Sequence, residues 1–308
     1  MSRAPVLSRK QLEEIANAHI RSFIRFDGKD DPKFSAWKFA VHYLGKKVRF
    51  EWLSNEGVYL GLSVFSDHTP VPVYIPETGK VSLQEVGKDT ILLDKTLAAI
   101  SPDSSSRPRF TLMHECAHQI LHRDYFLRQN LEGNSCGIAY SLQKREDVPG
   151  DAAKPKKEWT DEDWLEWQAN YLAGALLMPS HRVRRFLEES ILISEYRDRV
   201  RTKQPEEAAY RYLVRGLAGA FRVSPVTAGI RLDQIGFTRL PDQAMRKPCI
   251  YNLPHTLAPV RKTERERRNE ETLADWEDRR LDPEYIFPGI IYKSVNKKRR
   301  NRRAGEKA

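Results

Sequence analysis

Arg109-Phe110-Thr111-Leu112-Met113-His114-Glu115-Cys116-Ala117-His118-Gln119-Ile120-Leu121-His122 is the stretch on which the reading of this chain turns. Phe110, Leu112, Met113, Ile120 and Leu121 make it apolar, and a helix over 109–122 is predicted. Positions four apart on a helix differ by about forty degrees around the axis, so His114 and His118 project from one face, a turn apart. Two imidazoles so placed can both reach a tetrahedral Zn²⁺ at about 2.0–2.1 Å. Glu115 falls about a hundred degrees round from His114, beside the metal position but displaced from ligation. A general base belongs there, within reach of a water. His114-Glu115-Cys116-Ala117-His118 is thus an H-E-x-x-H motif, a zinc metalloprotease signature. Cys116 points to the opposite face and reads as a small core residue.

A catalytic zinc takes three protein ligands and keeps one position open. His122 continues the face of the first two histidines, but a turn too far along for one ion to meet all three rings. Asp124 occupies the last position of the extended metzincin pattern. That pattern needs a glycine where this chain has Leu121, so the helix would not break to bring Asp124 round. Glu166 lies on a second predicted helix, opened by Thr160 as N-cap with Asp161, Glu162 and Asp163 in its first turn. That helix should reach Met178, with Pro179 marking the exit. Glu166, Asn170, Ala173 and Leu177 share one of its faces, which presents a single carboxylate above small and apolar residues. Glu166 is therefore the favoured third ligand, for one Zn²⁺ per chain. Asn170 is a candidate for orienting a ligand. Tyr140, Tyr171 and His181 all stay open as oxyanion donors.

Two blocks carry a family resemblance. Arg109-Phe110-Thr111-Leu112, the zinc motif and Ile120-Leu121-His122 form the first; Glu166-Trp167-Gln168-Ala169-Asn170 through Leu176-Leu177-Met178-Pro179 forms the second. In this order and separation they resemble the ImmA/IrrE family of metallo-endopeptidases, over about residues 48–236. The resemblance implies a cytoplasmic bacterial or mobile-element protease, often one that cleaves a helix-turn-helix repressor and so regulates transcription. It also implies zinc ligation by His114, His118 and Glu166, with Glu115 catalytic. The chain departs from the family in a long insert around 143–157 and in a C-terminal extension.

Outward from these helices the chain reads as α+β. Leu12, Ile15, Ala16, Ile20, Phe23 and Ile24 predict an N-terminal amphipathic helix, and a shorter one is expected over 34–44, stopped by Gly45. Strands are expected over 48–52, 58–65, 71–75 and 90–93, with 76–80 as a turn. They should form a small mixed or antiparallel sheet packed on a gluzincin-like pair of zinc-binding helices. Helices are expected again over 206–221 and 226–235, separated by Arg222-Val223-Ser224 and ended by Gly236. The expected organisation is a metallopeptidase domain over 1–182, a helical, helix-turn-helix-like region over 183–240 and a basic, mostly non-globular tail over 241–308, with one helix near 263–280.

Composition narrows the classes. Hydrophobic residues make up 40% of the 308, enough for a packed core, and no apolar run reaches the length of a membrane span. Residues 1–20 become amphipathic at once and do not resemble a signal peptide. Three widely spaced cysteines, Cys116, Cys136 and Cys249, are no disulfide framework, so a cytoplasmic location without membrane partners is expected. The net charge of +10 concentrates in the tail, at Lys297-Lys298-Arg299-Arg300 and Arg302-Arg303, which could meet nucleic acid. This supports a rival reading: a DNA-binding transcriptional regulator with a structural zinc site, whose helix over 226–235 would expose Arg231, Asp233 and Gln234 to bases. The expected substrate on the first reading is a protein, a DNA-binding repressor.

Overall fold

Ser8 and Gln11 form a reciprocal capping box that starts α1, Arg9–Asp27, and Gly28 ends it in the left-handed region at φ 72°. Leu12, Ala16, Ile20 and Phe23 form its buried stripe. The structure is a computed structural model and describes residues 4–55, 57–98, 103, 105–131, 140–144, 159–202 and 204–237. The helix expected over 34–44 is split. A single turn, α2, Ala36–Lys38, runs into a π-helical turn, Phe39–Tyr43, before Gly45. Phe39 and Tyr43 of that turn both pack edge-on against Phe23 of α1.

Five strands precede the histidine helix: β1, Lys47–Glu51; β2, Tyr59–Val64; β3, Thr69–Ile75; β4, Lys80–Val86; and β5, Thr90–Asp94. The sixth, β6, Tyr140–Lys144, follows it. A mixed four-stranded sheet has the order β1-β5-β2-β6, with β1 parallel to β5 and the other two pairings antiparallel. β3 and β4 make a separate antiparallel hairpin. Two of these strands correct the sequence reading. β4 was not expected; its alternation runs in the opposite sense to a half-buried strand, with Val81 and Leu83 exposed at 65% and 69% and Ser82 and Gln84 half-buried. β6 reaches into the insert read as loop, so residues 143 and 144 are strand; 145–157 lie outside the described residues.

The central strands β2 and β5 are buried on both faces, their side chains alternating between the two sides. Leu62, Val64 and Leu92 face Val71 and Val86 of the hairpin. Ile91 and Leu93 face the main core. Against that side lies α3, Ser106–Leu121, buried at every position but one from Pro108 to Gln119. A break at His122 separates it from α4, Arg123–Leu131, which was not anticipated. On the other side of α3 packs α5, Asp161–Leu177, itself against α1. Thr160 caps α5 as expected, in a box completed by Asp163.

Four more helices follow: α6, Ser180–Glu189; α7, Leu192–Arg201; α8, Glu206–Phe221; and α9, Pro225–Gln234. Val183, Leu187, Tyr196, Leu213, Phe221 and Leu232 join the same core as α3 and α5. Arg222 takes the left-handed conformation at φ 55° between α8 and α9, and Ser224 caps α9 with Pro225 at its first position. One expectation about α9 fails. Arg231 is not exposed for base reading but 1% accessible, because α1 covers it and Glu13 takes its guanidinium. The basic tail and the helix expected over 263–280 lie outside the described residues. Among those described, no helix is long and apolar enough to cross a membrane.

Candidate metal centre

The site is assembled at the contact of α3 and α5. His114, Glu115, His118 and His122 are all fully buried, because α3 runs between the sheet and α5. Glu166 stands on the second turn of α5, one-fifth exposed. His114 Nε2 and His118 Nε2 lie 3.0 Å apart, and each is 3.2 Å from one oxygen of Glu166. The structure thus brings His114, His118 and Glu166 together as the one group among the described residues able to hold a metal ion. Asp124 is exposed on α4 and is not part of it. Nor is His122, whose Nδ1 faces His118 Nδ1 at 3.0 Å. Cys116 is buried on the far side of α3, where burial and the nearby Glu115 push its thiol up, so it stays protonated.

Neighbours orient these groups. Asn170, one turn along from Glu166, accepts from His114 Nδ1 at 2.9 Å, which leaves Nε2 of that ring free to face the cluster. Glu115 is held from the sheet side. The Ser63 hydroxyl on β2 lies 2.8 Å from its Oε2 and 3.0 Å from its main-chain oxygen. Gly61, two residues earlier on the same strand face, makes room for it: a Cβ there would sit 2.5 Å from Glu115 Oε1. Gly61 and Ser63 escaped the sequence reading. A glycine and a serine alternating with Leu60, Leu62 and Val64 in an apolar strand was the available signal.

The electrostatics suit a cation. Burial alone would neutralise Glu166, yet the two histidines beside it outweigh that and hold its carboxyl far below the usual range. Burial opposes protonation of His114, but the hydrogen bond and charge of Glu166 prevail and raise it; for His118 burial prevails and its value falls. Burial pushes Glu115 up to about 8, against the pull of His114 and the Ser63 hydrogen bond. Its Oε1 is buried without a hydrogen-bond partner. A positive charge beside it would favour the ionised form that a general base needs.

Two of the three candidate oxyanion donors are engaged elsewhere. The Tyr171 hydroxyl donates to Glu13, and His181 pairs with Asn17 at 3.1 Å, so both serve α1. Tyr140 lies on β6, opposite Val64.

The comparison with known families bears on this pair of helices. Residues 152–233 match the family model of the IrrE N-terminal-like domain, Peptidase_M78. The resemblance to the ImmA/IrrE metallopeptidases is borne out. The matched stretch of the IrrE N-terminal-like domain runs from before α5 into α9 and contains Glu166 and Asn170. His114, Glu115 and His118 lie outside it, so the histidine motif and the family match are separate lines of support for a metallopeptidase. None of the curated proteins matches the chain.

Proposed function

We propose that the protein is a zinc-dependent endopeptidase that hydrolyses a peptide bond in a cytoplasmic protein, with His114, His118 and Glu166 as the zinc ligands and Glu115 as general base. One observation carries the reading: two imidazole nitrogens and a carboxylate from helices 40 or more residues apart converge on one point. Their spacing fits the ion. Corners of a tetrahedron about 2.0 Å from its centre are about 3.3 Å apart. Here the two Nε2 atoms are 3.0 Å apart, a different oxygen of Glu166 lies 3.2 Å from each of them, and one ligand atom from each residue brings all three within 4.8 Å of one another. Two neutral nitrogens and one carboxylate are a donor set suited to zinc, and three ligands leave a position open as catalytic sites require. The pairing of α3 with α5 is then gluzincin-like.

When bound, zinc supplies Lewis acidity, polarising a carbonyl and making a neighbouring water acidic near neutral pH. The chain's own residues do the rest. The Glu115 carboxylate takes a proton from the attacking water and passes it to the leaving amine. Ser63 and Gly61 keep that carboxylate against β2, so it needs no search for its position. Asn170 holds His114 in the tautomer that presents Nε2. The family resemblance points to a helix-turn-helix repressor as the substrate. Purified protein loaded with one equivalent of zinc, and incubated with a repressor encoded beside it, should yield discrete fragments. Glu115→Gln should keep the zinc and cleave at least about 100-fold more slowly; undiminished cleavage by that variant would refute the role of Glu115, and no zinc uptake by the wild type would refute the whole reading.

A further inference from the structure

His114 and His118 are both buried ligand candidates, and behind His114 stands the amide oxygen of Asn170. What stands behind His118 is His122, one turn further along α3, with the two Nδ1 atoms 3.0 Å apart. His122 is itself fully buried, and its Nε2 has no hydrogen-bond partner. Gln168 of α5 lies within reach of the His122 ring. It too is fully buried, and its Oε1 is likewise without a partner, while its Nε2 donates to the Pro5 carbonyl at 2.6 Å. That last bond fixes which end of the amide faces the ring, because a carbonyl can only accept.

We infer that His122 is a positioning residue: it accepts the Nδ1 proton of His118, so that His118 offers Nε2 to the metal, and it is held in turn by Gln168 and the Pro5 carbonyl. The inference rests on the zinc reading above. Proton counting leaves one arrangement. With His118 ligating through Nε2, its single N–H is at Nδ1 and must donate. His122 Nδ1 then accepts, which places the His122 proton on Nε2, and the adjacent Gln168 Oε1 is an acceptor in need of one. Two otherwise orphaned buried atoms satisfy each other, which burial strongly favours. The chain of bonds ends on the segment before α1, where Ala4 is buried, so the N-terminal strap of the protein is tied to the second zinc ligand.

Two measurements test this. In ¹⁵N-imidazole-labelled, zinc-loaded wild type, long-range ¹H–¹⁵N correlations should show His122 protonated at Nε2 and bare at Nδ1; the opposite tautomer, or a doubly protonated ring, overturns the inference without any variant having to fold. Zinc affinity is then measured by competition with a chromophoric chelator. H122L, which removes the acceptor, should weaken binding by about 10–100-fold, as loss of an orienting partner does. H122N, whose Oδ1 can stand where Nδ1 stood, should recover most of it, and Q168L should show a smaller loss than H122L. Equal affinity in wild type and H122L overturns this inference alone. No zinc uptake by the wild type overturns instead the reading on which it rests.

Discussion

Two carboxylates, Glu166 between α3 and α5 and Glu13 between α1 and α9, face the same problem and solve it differently. Both are largely buried, and both keep a depressed pKa in spite of burial, through basic groups close by. At Glu13 the solution is closed. Arg231 places Nη1 on one oxygen and Nη2 on the other, and the Tyr171 hydroxyl adds a third donor. A planar fork matches a carboxylate and leaves nothing over. At Glu166 the partners are two imidazoles whose Nε2 atoms are themselves 3.0 Å apart. Both cannot be protonated at that separation without repelling, and two neutral rings leave a buried negative charge poorly matched. A divalent cation would resolve the conflict. A buried ionic cluster is structural when its own donors complete it, and a candidate site when they do not.

The largest expected effect separates chemistry from binding at the open cluster. Glu115→Gln should lower the cleavage rate by about 10²–10⁴-fold, with zinc content by metal analysis unchanged. Next comes the direct contrast between the two carboxylates. Glu166→Gln should weaken zinc binding by more than about 100-fold, beyond what an outer partner costs, yet leave the thermal stability of the zinc-free protein unchanged or higher. Arg231→Met should do the reverse, costing about 3 kcal/mol of stability by stranding Glu13 while zinc affinity stays the same. The double variant Arg231→Met with Glu13→Leu should regain most of that loss in a denaturant titration. If Arg231→Met abolished zinc binding in a folded protein, the two clusters would be coupled and the distinction would break.

A smaller effect is expected at Gly61. Gly61→Ala should displace the Glu115 carboxylate and lower kcat by about tenfold, within the range that misplacing a reacting group costs, with zinc content retained. An unchanged kcat would mean that β2 does not set the position of Glu115. Smallest is the pH response of the closed cluster. Burial tends to raise Glu13, but Arg231 overrides it and its folded value lies below its ordinary 4.5. The stability it lends is therefore present above 4.5 and lost as pH falls through the folded value. Denaturation midpoints should fall less steeply with acid in the double variant than in the wild type.

The meeting of His114, His118 and Glu166 was legible because its parts are local. H-E-x-x-H encodes one helix face, and Thr160 with three acidic residues announces where the partner helix begins. Each signal is complete within a few residues. What escaped depends on partners distant in the chain. Arg231 looks exposed on a short helix, and what buries it comes from far away in the chain: Glu13 of α1, more than two hundred residues earlier, and the Met178 carbonyl after α5. Tyr171 and His181 were credible oxyanion donors until Glu13 and Asn17 of the same helix took them. Ser63 acquires a role only once β2 is known to lie on α3. β4 stayed hidden because Val81 and Leu83 face outward, and nothing in Lys80-Val81-Ser82-Leu83 shows that the hairpin buries Val71, Val73 and Val86 on its other face.

β2, the strand that holds Glu115, has β5 on one edge and β6 on the other, with Ser63 opposite Ile91 and Ser141, and Gly61 opposite Leu93 and Gln143. From Gly61 to Val64 both edges of the strand are already paired with a neighbour, so an incoming peptide finds no open edge there. A guest aligned along that stretch would have to displace a neighbour first, and β6 is the neighbour whose last residues, 143 and 144, reach into the insert.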